Sequence, residues 1–186
     1  MKTAPIMISN RHVHLTREAV DVLLGKDYQL TVKKLMGEPI FAANETVTLA
    51  GPKGNIGGVR ILGPLRPYNQ AEVMKADCFV LGIMAPIAMS GTPDIAPITM
   101  IGPAGELPLE HGLVIAKRHM HISADNAEQW GVQKGQQVSV KVTGERALIF
   151  DEVEVTITQM PTTVHVDVEE GNAANVVNGQ MVEIII

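Results

Sequence analysis

A mainly β protein, folded as two small related β-barrels capped by short α-helices, is what this sequence predicts. Three observations carry that reading. Short β-branched runs are broken again and again by Gly-Pro punctuation. Apolar residues make up 46% of the chain but aromatics only 3%, so the core must be built from Val, Ile, Leu, Ala and Met. Several segments echo one another without a tandem period, which argues against a solenoid and for a pair of related barrels.

The elements follow in order. "APIMIS" (4–9) reads as an opening strand. "TREAVDVLLG" (16–25) reads as a short helix with Thr16 as N-cap and Gly25 as its stop. "ETVTLAGPKGNIGGVRILGP" (45–64) reads strand, tight turn, strand, and "APITMIGPAGELPLEHGLVIAKRHMHIS" (96–123) repeats the idea. Both turns are G-P-x-G, in which proline presets the bend and glycine accepts positive φ. The apolar run "KADCFVLGIM" (75–84) reads as a strand holding a buried thiol at Cys78. "SADNAEQWG" (123–131) is a second short helix, from Ser123 to Gly131, and "EEGNAANVVNG" (169–179) a third, weaker one. "QQVSVKVTGERALIFDEVEVTITQM" (136–160) alternates as antiparallel strands do, and "MVEIII" ends the chain as another strand.

Charge and cysteine content narrow the class of function. A formal net charge of −5 argues against a general nucleic-acid binder, which usually carries a basic balance. It leaves room for an anionic small molecule held by a local group of Arg and Lys. One cysteine permits no internal disulfide framework, which suits a reducing compartment. No apolar run reaches the length of a transmembrane span, and the stretch before the first motif is too short for a cleavable signal. We therefore expect a cytoplasmic protein.

The chain writes one phrase twice: "SNRHVHLT" (9–16) and "AKRHMHIS" (116–123). Each is Arg-His-apolar-His-apolar-Ser/Thr. In a strand, side chains two apart leave on one face, so His12 points with His14 and His119 with His121. Two imidazoles on one face can grip a divalent metal, but a site needs a third protein ligand. His165, in the alternating strand "TTVHVDVEEG" with Asp167 on the same face, is the better of the two remaining histidines. His111, beside a glycine in an expected turn, reads as a surface residue. Glu72, in "RPYNQAEVMKAD", is the carboxylate candidate. Zinc sites built only for folding usually contain cysteine, and none is placed to serve here. Arg11 and Arg118 precede the pairs and so face away from them. Arg66 stands close before Glu72, and a guanidinium fork beside a metal suits phosphate. "GPKGNIGG" lacks the Gly-Lys-Ser/Thr ending of a phosphate loop and reads as a hairpin turn.

Taken in order, "SNRHVHLT", "ETVTLAGPKG", "VRILGPLRPYNQAE", "AKRHMHIS" and "VHVDVEEGNAA" resemble the phosphate propanoyltransferases, the phosphotransacylases of propanediol utilisation and related acyl-CoA metabolism. The likeness runs from about residue 5 to the C-terminus. Val164 and Asn69 are mild departures from the family's pattern. The resemblance implies two β-barrels with a dimetal site between them, one barrel from residues 1–10 with 117–186 and the other from 11–116. It implies two zinc ions, one on His12, His14 and Glu72, the other on His119, His121 and His165. It implies that Arg66 binds phosphate, that coenzyme A is a substrate, and that acetyl or propanoyl groups pass between coenzyme A and phosphate. Relatives packaged in microcompartments carry an amphipathic extension for which this chain has no room, so a free form is expected, and two barrels with exposed apolar faces point to a homodimer.

Two rival functions stand beside that one. A metal-dependent phosphoester or thioester hydrolase would release free acid without added phosphate. A non-catalytic metal-binding protein would be indifferent to loss of Arg66.

Overall fold

The computed structural model describes residues 1–93 and 95–186. Its elements run β1 (Lys2–Ser9), β2 (His12–His14), α1 (Arg17–Leu24), β3 (Val32–Gly37), β4 (Ile40–Ala50), β5 (Asn55–Gly63) and β6 (Gln70–Val73). They continue α2 (Lys75–Leu81), β7 (Ile87–Ala88), β8 (Ala96–Ile101), β9 (Glu106–Ala116), β10 (His119–Ile122) and α3 (Ala124–Trp130). The chain finishes with β11 (Gln137–Val142), β12 (Leu148–Ile157), β13 (Thr163–Asp167), α4 (Val168–Ala174) and β14 (Met181–Ile185). The fold is mainly β, as the alternating β-branched runs predict.

Two compact units emerge, Met1–Asn10 with Lys117–Ile186, and Arg11–Ala116. The first is a closed barrel in the order β1-β13-β10-β12-β11-β14. β-Branched side chains and one methionine fill it: Ile6, Met120, Ile122, Val140, Val155 and Val164 are fully buried. In the second, β4-β5-β2-β6-β9 lie side by side, and β8 pairs with both β4 and β9 to complete a ring. Val13, Leu49, Ile61, Met100 and Leu113 are buried in its interior.

The two rings are the same ring. Strand β10 pairs parallel with β12 and antiparallel with β13; β2 pairs parallel with β5 and antiparallel with β6. Strands β1 and β13 are parallel, as are β9 and β6. The other three pairings of each ring are antiparallel in both. The echoes in the sequence are therefore the trace of a repeated six-strand ring.

Helix boundaries follow the cap chemistry. Thr16 accepts from the Ala19 N–H at 3.2 Å and Ser123 from the Asn126 N–H at 3.3 Å, with Gly25 and Gly131 closing the two helices. The third helix is shorter than its sequence suggests, because Asp167 caps it and Asn175, at φ 52°, ends it.

Two expectations are corrected. Cys78 lies in helix α2, not in a strand. Asp77 accepts from the Met74 N–H at 3.1 Å and Gly82 closes the last turn at φ 72°, so caps decide a short apolar run whose periodicity is ambiguous. The thiol is buried, as expected, at 1% exposure. His111 lies in β9 rather than in a turn, exposed, with Nδ1 at 3.1 Å from the Ile95 carbonyl.

The G-P-x-G turns do more than reverse the chain. Each closes on itself, Gly51 N–H to Gly54 O at 3.0 Å and Gly102 N–H to Gly105 O at 2.9 Å. Each also caps a helix: Lys53 N–H donates to Leu81 O at the end of α2 (3.1 Å), and Ala104 N–H to Leu23 O in the last turn of α1 (2.9 Å). A Cβ on Gly51 would sit 2.2 Å from the Leu81 carbonyl oxygen, and one on Gly102 would sit 2.2 Å from that of Leu23. Gly51→Ala and Gly102→Ala should each cost about 2 kcal/mol or more by urea unfolding, as forced overpacking does. Gly57→Ala, where the nearest atom is 3.6 Å away, should stay within about 0.5 kcal/mol.

Candidate functional site

Strand register assembles the candidate ligands. In the 11–116 unit, His12 on β2 lies opposite Glu72 on β6, and His14 opposite Gln70. In the other unit His119 on β10 lies opposite His165 on β13. In both, the first histidine of the H-x-H strand faces the third ligand on the antiparallel neighbour. The ring centroids of His12 and His14 are 4.9 Å apart at 84°; those of His119 and His121 are 4.8 Å apart at 81°. His165 stacks on His119 at 5.2 Å and meets His121 edge-on at 4.9 Å.

Each set has the donor chemistry of a metal site. Within each, one ligand atom per residue can be chosen so that all three lie within 4.8 Å of one another. His12 Nε2 is 3.4 Å from Glu72 Oε2, and His14 Nε2 is 3.5 Å from Oε1. These separations leave room for an ion at about 2.0–2.1 Å from each histidine nitrogen and from one of the carboxylate oxygens. The buried Nδ1 atoms of His14 and His121 have no hydrogen-bond partner. His119 Nδ1 lies 2.9 Å from the Lys117 carbonyl, which orients the ring and leaves Nε2 free, as outer contacts of ligating histidines do. Both sets fit a divalent ion.

The electrostatics agree. Burial raises the Glu72 carboxyl, but the charge of His12 and hydrogen bonds from His14 and Ser90 outweigh it and hold the pKa down to about 2. Burial, with the charge of His119, pushes His121 down to about 4. At neutral pH the carboxylate is ionised and the His121 imidazole neutral, as ligands must be, and a bound ion would take the place of the His12 charge beside Glu72.

The motif arginines act behind the histidines, as their strand position predicts. Arg11 grips Asp77 with Nε at 2.9 Å and Nη2 at 2.8 Å. Arg118 Nε reaches Glu170 at 2.8 Å, and its guanidinium stacks over Phe150 at 5.4 Å. Asp77 and Glu170 occupy the same position, the third residue of the helix that follows the strand bearing Glu72 or His165. Each arginine thus ties the start of its H-x-H strand to the element that carries the third ligand.

Arg66 is anchored beside the first set. Its backbone N–H donates to the Leu15 carbonyl at 2.8 Å, one residue past His14, and its buried Nε has no partner. Asn69 holds the same corner by accepting from the Thr16 N–H at 2.8 Å. Sequence reasoning missed Gln70, Tyr68 and Ser90. Gln70 is two residues before Glu72 on one strand, a period-2 signal that would have found it. Ser90 arrives on a loop after β7 with no signal in the sequence. Arg60, in contrast, is occupied by the carbonyls of Ala43 (3.0 Å) and Asn44 (2.6 Å).

Asp77 is 4% exposed and also caps α2. Asp77→Asn should cost about 1.5–3 kcal/mol of stability, the range for hydrogen bonds to charged groups, read as a lower urea midpoint.

Comparison with known proteins completes the picture. The family model for phosphate propanoyltransferase matches residues 5–177. The phosphate propanoyltransferase of Rhodobacter capsulatus is 45% identical over 97% of this chain and 85% of its own length. That of Lachnoclostridium phytofermentans is 46% identical over 97% and 86%, and that of Thermotoga maritima 45% identical over 96% and 87%. The chain belongs to the phosphate propanoyltransferase family and is an acyltransferase.

Proposed function

We propose that this phosphotransacylase interconverts short-chain acyl-CoA and phosphate with acyl phosphate and CoA, for acetyl or propanoyl groups, by direct transfer and with two bound divalent ions. The observation that carries this reading is the repeated three-ligand set, fixed by the same strand register in each unit. His12, His14 and Glu72 would hold one ion, and His119, His121 and His165 the other. Zinc suits the imidazole-rich donors, and cobalt, iron or manganese would also be accepted. We take residues 1–10 with 117–186 and 11–116 as the two domains.

The bound ions would supply positive charge to substrate oxygens and a partner for a thiolate. The protein does the rest. Arg66 offers its unpartnered Nε and the rest of its guanidinium to phosphate, with a charge that does not titrate. The backbone bond to Leu15 keeps that fork beside β2. A phosphate oxygen attacks the thioester carbonyl carbon, the carbon–sulfur bond breaks, and CoA leaves as thiolate; nothing is oxidised or reduced. Holding both reactants in place can lower the barrier by roughly 7–11 kcal/mol. Cys78 is buried in α2 with its thiol directed to the Met74 carbonyl at 3.8 Å, which supports transfer without an acyl-cysteine.

The test is CoA release from acetyl- and propanoyl-CoA with and without phosphate, with metal content measured on the same sample. Acyl phosphate should form only when phosphate is present; phosphate-independent release of free acid would favour a hydrolase. Arg66→Ala should lower kcat/KM by about 10²–10³-fold, the scale for losing one charge-stabilising donor, with metal retained. Removal of metal by chelator should abolish turnover, and zinc should restore it. Intact-mass analysis during turnover should show no acylated protein.

We further propose a cytoplasmic homodimer. No helix among the described residues is long and apolar enough to cross a membrane, and the single thiol is free. Phe79, Met84 and Ile87 stand 64%, 68% and 66% exposed along the α2–β7 segment, an apolar surface suited to a second copy. Sedimentation should give a dimer, and Phe79→Glu should shift it to monomer.

A further inference from the structure

Beside the His12, His14 and Glu72 set, within the 11–116 unit, lies a cleft of ≈ 260 Å³. Tyr68, Gln70, Gly91, Thr92, Ile95 and Leu109 form much of its wall. Two contacts join it to the ligands. The Tyr68 ring meets His14 edge-on at 6.2 Å. The Ser90 hydroxyl lies 3.1 Å from the Tyr68 hydroxyl and is placed to give its one proton either to Glu72 or to Gln70 Oε1, at 3.3 Å.

Gln70 is the informative residue. It is 1% exposed and sits opposite His14 in the strand register. Its Oε1 accepts from the Gly91 N–H at 2.8 Å, a backbone donor, so the orientation of its amide is fixed. That leaves Nε2 buried without an acceptor. An unsatisfied buried donor costs about 1–3 kcal/mol, a cost that a ligand oxygen would remove. The chemistry of the wall says which oxygen. Among the described lining residues the only side chain that can carry positive charge is His111, whose Nδ1 lies 3.1 Å from the Ile95 carbonyl, so a phosphate would find no permanent countercharge and would enter at high desolvation cost. A thioester acyl group presents an uncharged carbonyl oxygen and a short alkyl chain, which match the Gln70 amide and the apolar faces of Ile95 and Leu109.

We infer that this cleft receives the acyl group of the CoA thioester, with Gln70 Nε2 donating to the carbonyl oxygen and Leu109 limiting the length of the chain. The inference rests on the phosphotransacylase reading above. Phosphate-dependent CoA release is measured for acetyl-, propanoyl-, butanoyl- and hexanoyl-CoA with wild type, Leu109→Ala and Gln70→Glu. Leu109→Ala should raise the butanoyl-to-propanoyl ratio of kcat/KM about tenfold or more, the value of a methylene or two in a pocket. Gln70→Glu keeps the oxygen that Gly91 uses, replaces the Nε2 donor with a second carboxylate oxygen and adds a negative charge near Glu72, so metal content is measured on the same sample. It should lower kcat/KM for every thioester at least about tenfold while the KM for phosphate stays within about twofold. An effect of the added charge alone predicts instead a loss of bound metal or an equal rise in the KM for phosphate.

A chain-length profile of Leu109→Ala parallel to wild type overturns the assignment of the cleft. Should that variant fail to fold, Gln70→Glu decides alone: unchanged acyl-CoA kinetics, or an equal rise in the KM for phosphate, overturns the inference. Wild-type protein that releases no CoA from any of the four thioesters overturns the transfer reading and this inference together.

Discussion

The structure depends on one constraint, the register of a short H-x-H strand against its antiparallel neighbour. Because side chains alternate, the register that brings Glu72 opposite His12 also puts both histidines and the carboxylate on one face. The register of His119 against His165 does the same in the other ring. A slip of one residue would turn every ligand away and bring Val13 or Met120, both fully buried, to the ligand face. The core therefore guards the site, since the same slip would expose apolar side chains that now have none of their surface in water.

Around that constraint the two rings repeat a second device. The arginine before each H-x-H pair reaches the third residue of the helix that begins just after the third ligand. The Arg11–Asp77 pair is bidentate, and Asp77 is nearly inaccessible. Its role is positional rather than chemical: it holds β2 to the start of α2, and with it the strand that bears Glu72. The repeat is imperfect where it matters chemically. Glu72 brings a formal negative charge to its set and His165 brings none. An ion in the first set would keep less net positive charge than one in the second, so the two are not interchangeable as Lewis acids.

Much of this was legible in the sequence, and the reasons are local. The duplicated R-H-x-H phrase, the i, i+2 rule and the Thr16 and Ser123 caps depend on neighbouring residues, so pattern alone finds them. The G-P-x-G turns were equally plain, but their grip on the carbonyls of Leu23 and Leu81 was not, because that contact joins segments far apart in the chain. Cys78 was misplaced for a related reason. Its apolar run suits a strand as well as a helix, and the decision falls to Asp77 and Gly82 at the two ends. Ser90 was invisible because a loop carries it to Glu72, and no spacing rule spans that path. His111 shows the reverse case, in which a glycine neighbour suggested a turn and the long strand β9 ran through it.

The course of the chain through the two rings has a consequence for biosynthesis. The 11–116 unit is continuous, so all six of its ring strands have been made by the time Ala116 emerges. The other ring places β1 beside β13 and β14, joining the first strand to the last. Closing so long a loop is slow relative to local pairing. The nascent N-terminal strand would therefore stand with its edge unpaired until β13 and β14 have been made.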